Sequence, residues 1–290
     1  MRLRSLLASA SPMPPGIGDR CIRHQTRHGE CDACIQHCPV AAITLIGNTP
    51  RLDADRCIYC SHCVVVCPTD AIDSLSQIER RYEDNCLFSQ GDPRVASREE
   101  LLLWHDQYGI RQIAIPDMAS RWLLPVARLN LLLKQIGEPI WQVIYPPETA
   151  DPPPSRWWAK KTGSVGRIVG GQRALRDAFP AIAWFKVTLD LATCSLCGAC
   201  GRICPEQAIQ FTDETLQINT QRCTGCRACL SVCFNQSIAL QPWAAATSPE
   251  THSLHTCRCR QCRQSFRHRS PEEALCPLCR RHAHGMRHAT

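Results

Sequence analysis

The sequence predicts an α+β protein in which two small cysteine-ligated modules flank a parallel α/β unit, with a four-cysteine tail at the C-terminus. Three observations carry this reading. The run Cys-x2-Cys-x2-Cys-x3-Cys occurs three times in 290 residues, and a stretched version occurs once more. Apolar strand and helix patterns alternate in the stretch between the two pairs of runs. Two Cys-x2-Cys pairs stand near the C-terminus.

Residues 1–20 form an N-terminal arm. Arg2 and Arg4 precede a short apolar stretch, too short for a signal peptide, which needs about 7–15 apolar residues. The two arginines are split by Leu3, so there is no twin-arginine pair. A targeting role is therefore not expected. The most apolar segment, Trp122 to Ile136, is interrupted by Pro125, Arg128, Asn130 and Lys134, and no transmembrane span is expected. Cysteine spacing of this kind points to thiolate ligands in a reducing cytoplasm, because disulfide-dense secreted domains do not repeat a 2-2-3 spacing.

The first module is read over residues 21–80. Cys57, Cys60, Cys63 and Cys67 make a complete run. Cys31, Cys34 and Cys38 make the rear of another, with its first cysteine displaced back to Cys21. The spacing matches the ligand run that holds a [4Fe–4S] cluster. Each run is followed by a similar turn, Cys38-Pro-Val-Ala-Ala-Ile and Cys67-Pro-Thr-Asp-Ala-Ile, in which proline ends a short helix and isoleucine begins a strand. Between the runs, Ile43–Ile46 is expected to pair with Arg51–Asp53 across Gly47–Pro50. The stretched run leaves two readings for its first ligand. Cys21 is one, as the softer thiolate; His28, three residues before Cys31, is the other.

Residues 81–146 read as the small parallel α/β unit. Ser97-Arg-Glu-Glu100 is a capping box before a helix over 101–108 that stops at Gly109. Strands are expected over 110–115 and 140–145, each ended by proline, with a helix over 126–136 between them. Cys86 stands apart from every run and reads as a small buried hydrophobe. Residues 147–182 read as a linker, stiff at Asp151-Pro-Pro-Pro-Ser155 and flexible from Lys160 to Gly166.

Residues 183–245 repeat the first design. Cys194, Cys197, Cys200 and Cys204 make one run, and Cys223, Cys226, Cys229 and Cys233 another. Cys204 and Cys233 are 29 residues apart, as are Cys38 and Cys67, so one structural unit is used twice. Ile209–Phe211 is expected to pair with Leu216–Asn219. Phe234 replaces the proline after the last run. Sixteen of the 22 cysteines are thus assigned, which implies four clusters. Zinc sites use two separated pairs and not triplets followed by Cys-Pro, and the Cys-x3-Cys-x2-Cys spacing of radical enzymes is absent.

Residues 246–290 form a basic tail. Cys259 and Cys262 are followed by Cys276 and Cys279, the spacing of a four-cysteine zinc ribbon holding one structural zinc. Cys257 is an alternative to Cys259, and His282, His284 and His288 are further candidates. From Cys257 onward there are eight arginines against Glu272 and Glu273, in a chain of net charge +7. Such a tail suits an acidic protein or an anionic membrane surface in a peripheral contact. Few aromatics interleave the arginines, which argues against nucleic acid.

The runs and their following turns resemble the bacterial two-cluster ferredoxin, present twice, over 21–80 and 183–242. In that family the last cysteine of each run serves the partner run's cluster. The resemblance therefore implies four ligand sets: Cys21, Cys31, Cys34 and Cys67; Cys57, Cys60, Cys63 and Cys38; Cys194, Cys197, Cys200 and Cys233; and Cys223, Cys226, Cys229 and Cys204. A chain of this sort is similar to the polyferredoxins that serve bacterial respiratory oxidoreductases such as formate dehydrogenase or nitrate reductase. That implies an electron-transfer relay working with a redox partner protein. No catalytic constellation stands beside the cysteines, so a carrier or subunit is favoured over an enzyme. An iron–sulfur maturation factor or redox sensor is the second reading, and a nucleic-acid-binding regulator using the ribbon the third.

Overall fold

The computed structural model describes residues 16–73, 75, 77–89, 94–116, 120–145 and 163–285. The targeting question at residues 1–15, the Pro-rich linker at 151–155, Lys160 and Lys161, and His288 lie outside the described residues. The chain divides into two compact units, Met1–Gln25, Asp32–Leu133 and Pro139–Leu175 in one, and Thr26–Cys31, Lys134–Glu138 and Arg176–Thr290 in the other.

The first unit begins with β1 (Gly16–Ile17), α1 (Ile22–Gln25), α2 (Ala33–Gln36), β2 (Ile43–Ile46), β3 (Thr49–Leu52), α3 (His62–Val66) and β4 (Ile72–Asp73). Strand β1 pairs antiparallel with β4, and β2 with β3. The β2–β3 register sets Ile46 opposite Thr49, so the turn is the two-residue Gly47-Asn48 and not the longer loop expected. Ile43, Ala71 and Ile72 form a core with Cys63 and Cys67.

Beyond it come β5 (Glu79–Glu83), β6 (Cys86–Phe88), α4 (Arg98–Gln107), β7 (Gln112–Ala114), α5 (Leu123–Ile136), β8 (Gln142–Ile144), β9 (Ser164–Arg167) and α6 (Gln172–Ala178). The two expected strands and two expected helices are present. The sheet itself differs from the parallel one expected. It has five strands in the order β8-β7-β6-β5-β9, parallel across β6, β7 and β8 and antiparallel at β5 and β9. Strand β5 reads Glu-Arg-Arg-Tyr-Glu, with no apolar alternation. It is held instead by Arg80, 4% exposed, whose guanidinium forms a bidentate pair with the buried carboxylate of Glu100. Ser97 caps α4 by accepting from the Glu100 amide at 3.1 Å, while the Glu100 side chain turns inward to Arg80. Only half of the expected capping box is therefore clear. Strand β9 and helix α6 lie within the span read as linker.

This sheet has its own apolar core. Leu101, Leu103, Trp104, Ile110, Ile113, Ile115, Leu129 and Leu133 are fully buried. At about 1.5–3 kcal/mol for each large side chain removed from water, that burial gives the region support independent of any cofactor. Inside it the Trp141 indole N–H donates to His105 Nδ1 at 3.0 Å, so both polar groups are satisfied.

The second unit contains β10 (Ile182–Leu189), α7 (Ala199–Ile203), β11 (Ile209–Phe211), β12 (Thr215–Ile218), α8 (Ala228–Ser231), β13 (Ile238–Ala246), β14 (Glu250–Ser253), β15 (His255–Arg258), β16 (Ser265–His268) and α9 (Pro277–Gly285). Its cysteine module follows the plan of the first. The outer strands β10 and β13 pair antiparallel, the inner β11 and β12 form a hairpin, and β14 extends that hairpin. In both modules a strand begins at the isoleucine after each run, at Ile43, Ile72, Ile209 and Ile238. The core joins Val187, Leu196, Ile209, Leu216, Ile218 and Ile238 to Cys200 and Cys229. Strands β15 and β16 form the hairpin of the tail, closed by α9.

Candidate metal centres

The three regular runs share one backbone path. Two residues after the first cysteine the chain is left-handed, at Tyr59 (φ 54°), Leu196 (φ 55°) and Gly225 (φ 77°). Four residues after it the chain is left-handed again, at Ser61 (φ 59°), Gly198 (φ 72°) and Arg227 (φ 60°). A non-glycine residue held there costs about 1–3 kcal/mol, so four of these six positions are held by their surroundings against local preference. The path turns amides toward sulfur. Tyr59 N–H donates to Cys57 Sγ and Leu196 N–H to Cys194 Sγ, each at 3.4 Å.

A second repeat follows the last cysteine of every run, including the stretched one. Ala41, Asp70, Gln207 and Gln236, each three residues on, have φ between 49° and 53°. The next amide then donates to the cysteine sulfur: Ala42 to Cys38 at 3.1 Å, Ala71 to Cys67 at 3.2 Å, Ala208 to Cys204 at 3.3 Å and Ser237 to Cys233 at 3.2 Å. Amide donors stabilise negative charge on sulfur, which suits a thiolate ligand and not a thiol packed for its bulk.

Burial brings the crossed cysteines into one another's fields. Burial pushes the Cys63 thiol up to about 12, with Cys60, Cys57 and Cys38 adding to the shift. Burial raises Cys194, and Cys197 and Cys233 act on it. Cys200 is pushed to about 11, first by burial and then by Cys194 and Cys197. Cys223 and Cys226 are each pushed to about 12 by burial, with Cys204 acting on both. Thiols raised this far are protonated at neutral pH, so holding them as thiolates would require a bound cation.

The stretched run is different. Asp32, which stands before α2 as Ser61, Gly198 and Arg227 stand before α3, α7 and α8, has φ −130°. The left-handed pair of the regular runs is thus missing. Cys21 and Cys34 pack against the core that holds Cys67, and Cys67 acts on the raised Cys21 thiol after burial and two backbone N–H groups. His28 is exposed. Cys31 falls in the short segment that belongs to the second unit, where its charge reaches Cys226.

In the tail the thiols of Cys259, Cys262, Cys276 and Cys279 all lie within 4.8 Å of one another. Cys262 and Cys276 are 3.8 Å apart. A tetrahedral zinc with Zn–S bonds of about 2.3 Å has edges of about 3.8 Å, so the donor set fits that ion. Backbone N–H groups of Cys276 and Cys262 hold Cys259 down to about 6, while burial pushes Cys279 up to about 12. Among the described residues this is the group of metal-ligating side chains tight enough to share a single ion. Cys257 instead points to the carbonyls of Ser270 and Pro271 at 3.5 and 3.6 Å. Cys86, on β6, is half-buried, with its thiol directed to the Leu87 carbonyl at 3.8 Å.

Residues 186–234 match a 4Fe-4S dicluster domain, and residues 50–73 match a 4Fe-4S binding domain. With the repeated cradles, these matches define an iron–sulfur protein of mixed α/β fold, with ferredoxin-type 4Fe-4S domains and a cysteine cluster near its C-terminus. The chain is also 34% identical over 88 residues to the Escherichia coli (strain K12) protein named "Putative oxidoreductase AegA". That stretch is 29% of this chain and 13% of the relative, so the chain spans only a small part of that protein's length. The matched domains are 4Fe-4S binding domains. No helix among the described residues is long and apolar enough to cross a membrane.

Proposed function

We propose that the chain relays electrons through four [4Fe–4S] clusters, to or from a partner oxidoreductase. The modules are residues 21–80 and 183–245. Their ligand sets are Cys21, Cys31, Cys34 and Cys67; Cys57, Cys60, Cys63 and Cys38; Cys194, Cys197, Cys200 and Cys233; and Cys223, Cys226, Cys229 and Cys204. Cys259, Cys262, Cys276 and Cys279 hold one structural zinc, because four thiolates leave no open position for a substrate. The reading of the partner as a formate dehydrogenase or nitrate reductase rests on the polyferredoxin resemblance alone. A cytoplasmic setting follows from the use of thiolates as ligands.

The observation that carries the reading is the fourfold amide-to-sulfur bond after the last cysteine of each run. Each bound cluster supplies one-electron storage. The chain's part is to hold the thiolates, shield them from water and direct N–H groups at the sulfurs, which favours the more negative, reduced state. A reductive titration followed by EPR tests this. Reversible uptake of about four electrons per chain is expected, one for each cube. Irreversible bleaching on reduction would contradict a relay.

A further inference from the structure

The second unit has a cationic cleft beside its first cysteine run. Thr193, Ser195 and Phe234 line one side, and Arg267, Arg269 and Arg280 the other, around a cavity of about 510 Å³. The two sides are fastened together. Arg281 donates to Asn235 Oδ1 at 2.5 Å and stacks over Phe234, 5.7 Å from its ring centroid. Phe234, adjacent to the proposed ligand Cys233, is nevertheless 88% exposed, and Leu278 on α9 is 69% exposed. A second space of about 640 Å³ is lined by Phe234, Leu278 and Phe266, and by thiols of both the first run and the tail.

The charge at this cleft is unbalanced. Arg280 pairs with Glu273 at 2.6 Å and Arg267 with Asp213 at 3.5 Å. Arg269 is exposed and has no acidic partner among the described residues. Of the four arginines at the cleft, Arg267 and Arg280 are paired with carboxylates, while Arg281 is bonded to Asn235. Phe234, exposed in a cleft that Arg267, Arg269 and Arg280 also line, has the make-up of a protein interface, an apolar anchor beside a polar rim. The excess charge selects an acidic partner. A single exposed phenylalanine is a poor platform for a nucleic-acid strand, which needs successive stacking rings.

We infer that this cleft is the docking surface for an acidic one-electron carrier protein, and so the port through which the relay exchanges electrons. The inference rests on the four-cluster reading and adds the site of exchange and the charge of the partner. In each encounter the reduced carrier loses one electron and the cluster proposed at Cys194, Cys197, Cys200 and Cys233 gains it.

Flavodoxin, a small acidic one-electron carrier, is a suitable probe, with reduced methyl viologen as a cationic reductant that needs no docking. The anaerobic, metal-loaded full chain would be compared with Arg269→Glu/Arg280→Glu and with Arg260→Glu, a charge reversal in the tail away from the cleft. The double variant should lose at least about tenfold in the rate of reduction by flavodoxin hydroquinone at low salt, and the loss should shrink at high salt. Calorimetric binding of oxidised flavodoxin should weaken in parallel. Arg260→Glu should change both far less, and viologen should reduce all three proteins without loss. Equal flavodoxin rates and affinities in wild type and double variant would overturn the port while leaving the relay intact. Failure of both reductants to reduce the clusters would overturn the relay itself. Tighter binding of a short DNA duplex through the same arginines would reassign the surface to nucleic acid.

Discussion

The two cysteine modules share a strand plan but differ in one loop. In the second module both runs take the left-handed pair, at Leu196 and Gly198 and at Gly225 and Arg227. In the first, only the run at Cys57 does, with Tyr59 and Ser61, while Asp32 in the stretched run lies outside that region at φ −130°. The dicluster match spans both runs of the second module, and the match in the first covers 50–73. The left-handed pair accompanies each complete 2-2-3 run and is absent where the lead from Cys21 is lengthened, although Cys31 and Cys34 keep their two-residue spacing. The turn after the last cysteine is unaffected, because it is written in the residues that follow Cys38 and not in the spacing before it.

The largest effect should come from removing a thiolate in a regular cradle. Cys229→Ser is expected to lose about four irons per chain, the content of one cube, and to loosen the second module, since metal binding and folding are coupled. Iron analysis and limited proteolysis would read both. Cys21→Ser tests the irregular loop: a loss of about four irons is expected, against none for His28→Ala. The opposite result would assign the ligand to the exposed histidine and break the parallel between modules. Cys276→Ser should release about one zinc and leave the iron content unchanged, separating the tail from the cradles. The smallest effects should be at glycines. A Cβ on Gly225 would clash with the Phe185 ring, whereas one on Gly198 would meet the flexible Arg202 tip at 3.1 Å. Both positions are left-handed, so Gly225→Ala should destabilise the protein by about 2–3 kcal/mol and Gly198→Ala by about 1 kcal/mol, read from chemical unfolding of the metal-loaded chain.

Much of the site was legible because cysteine spacing is a direct statement of geometry. The strands starting at Ile43, Ile72, Ile209 and Ile238 were legible because each follows the same turn. The helices α4 and α5 were marked by Ser97 and by their apolar periodicity. What escaped was held by tertiary contacts. Strand β5 looks like a solvated charged stretch, but its buried Arg80–Glu100 pair and the packing of Tyr82 against Trp104 and Tyr108 hold it in the sheet. Strand β9 reads as a flexible glycine-rich segment. Gly166 is there because a Cβ would fall 2.8–2.9 Å from Trp104, Tyr108 and Tyr82, which pack against its backbone. The arginines of the tail were visible as charge, but their gathering around Phe234 depends on the fold of the second unit.

The central claim is the cofactor content of the chain, and the most direct test is iron, sulfide and zinc analysis of anaerobically purified protein. About sixteen irons, about sixteen sulfides and about one zinc per chain are expected, four irons to each cube and one ion to the four-thiolate tail. About eight irons per chain would contradict it, because two of the four proposed ligand sets would then hold no cluster.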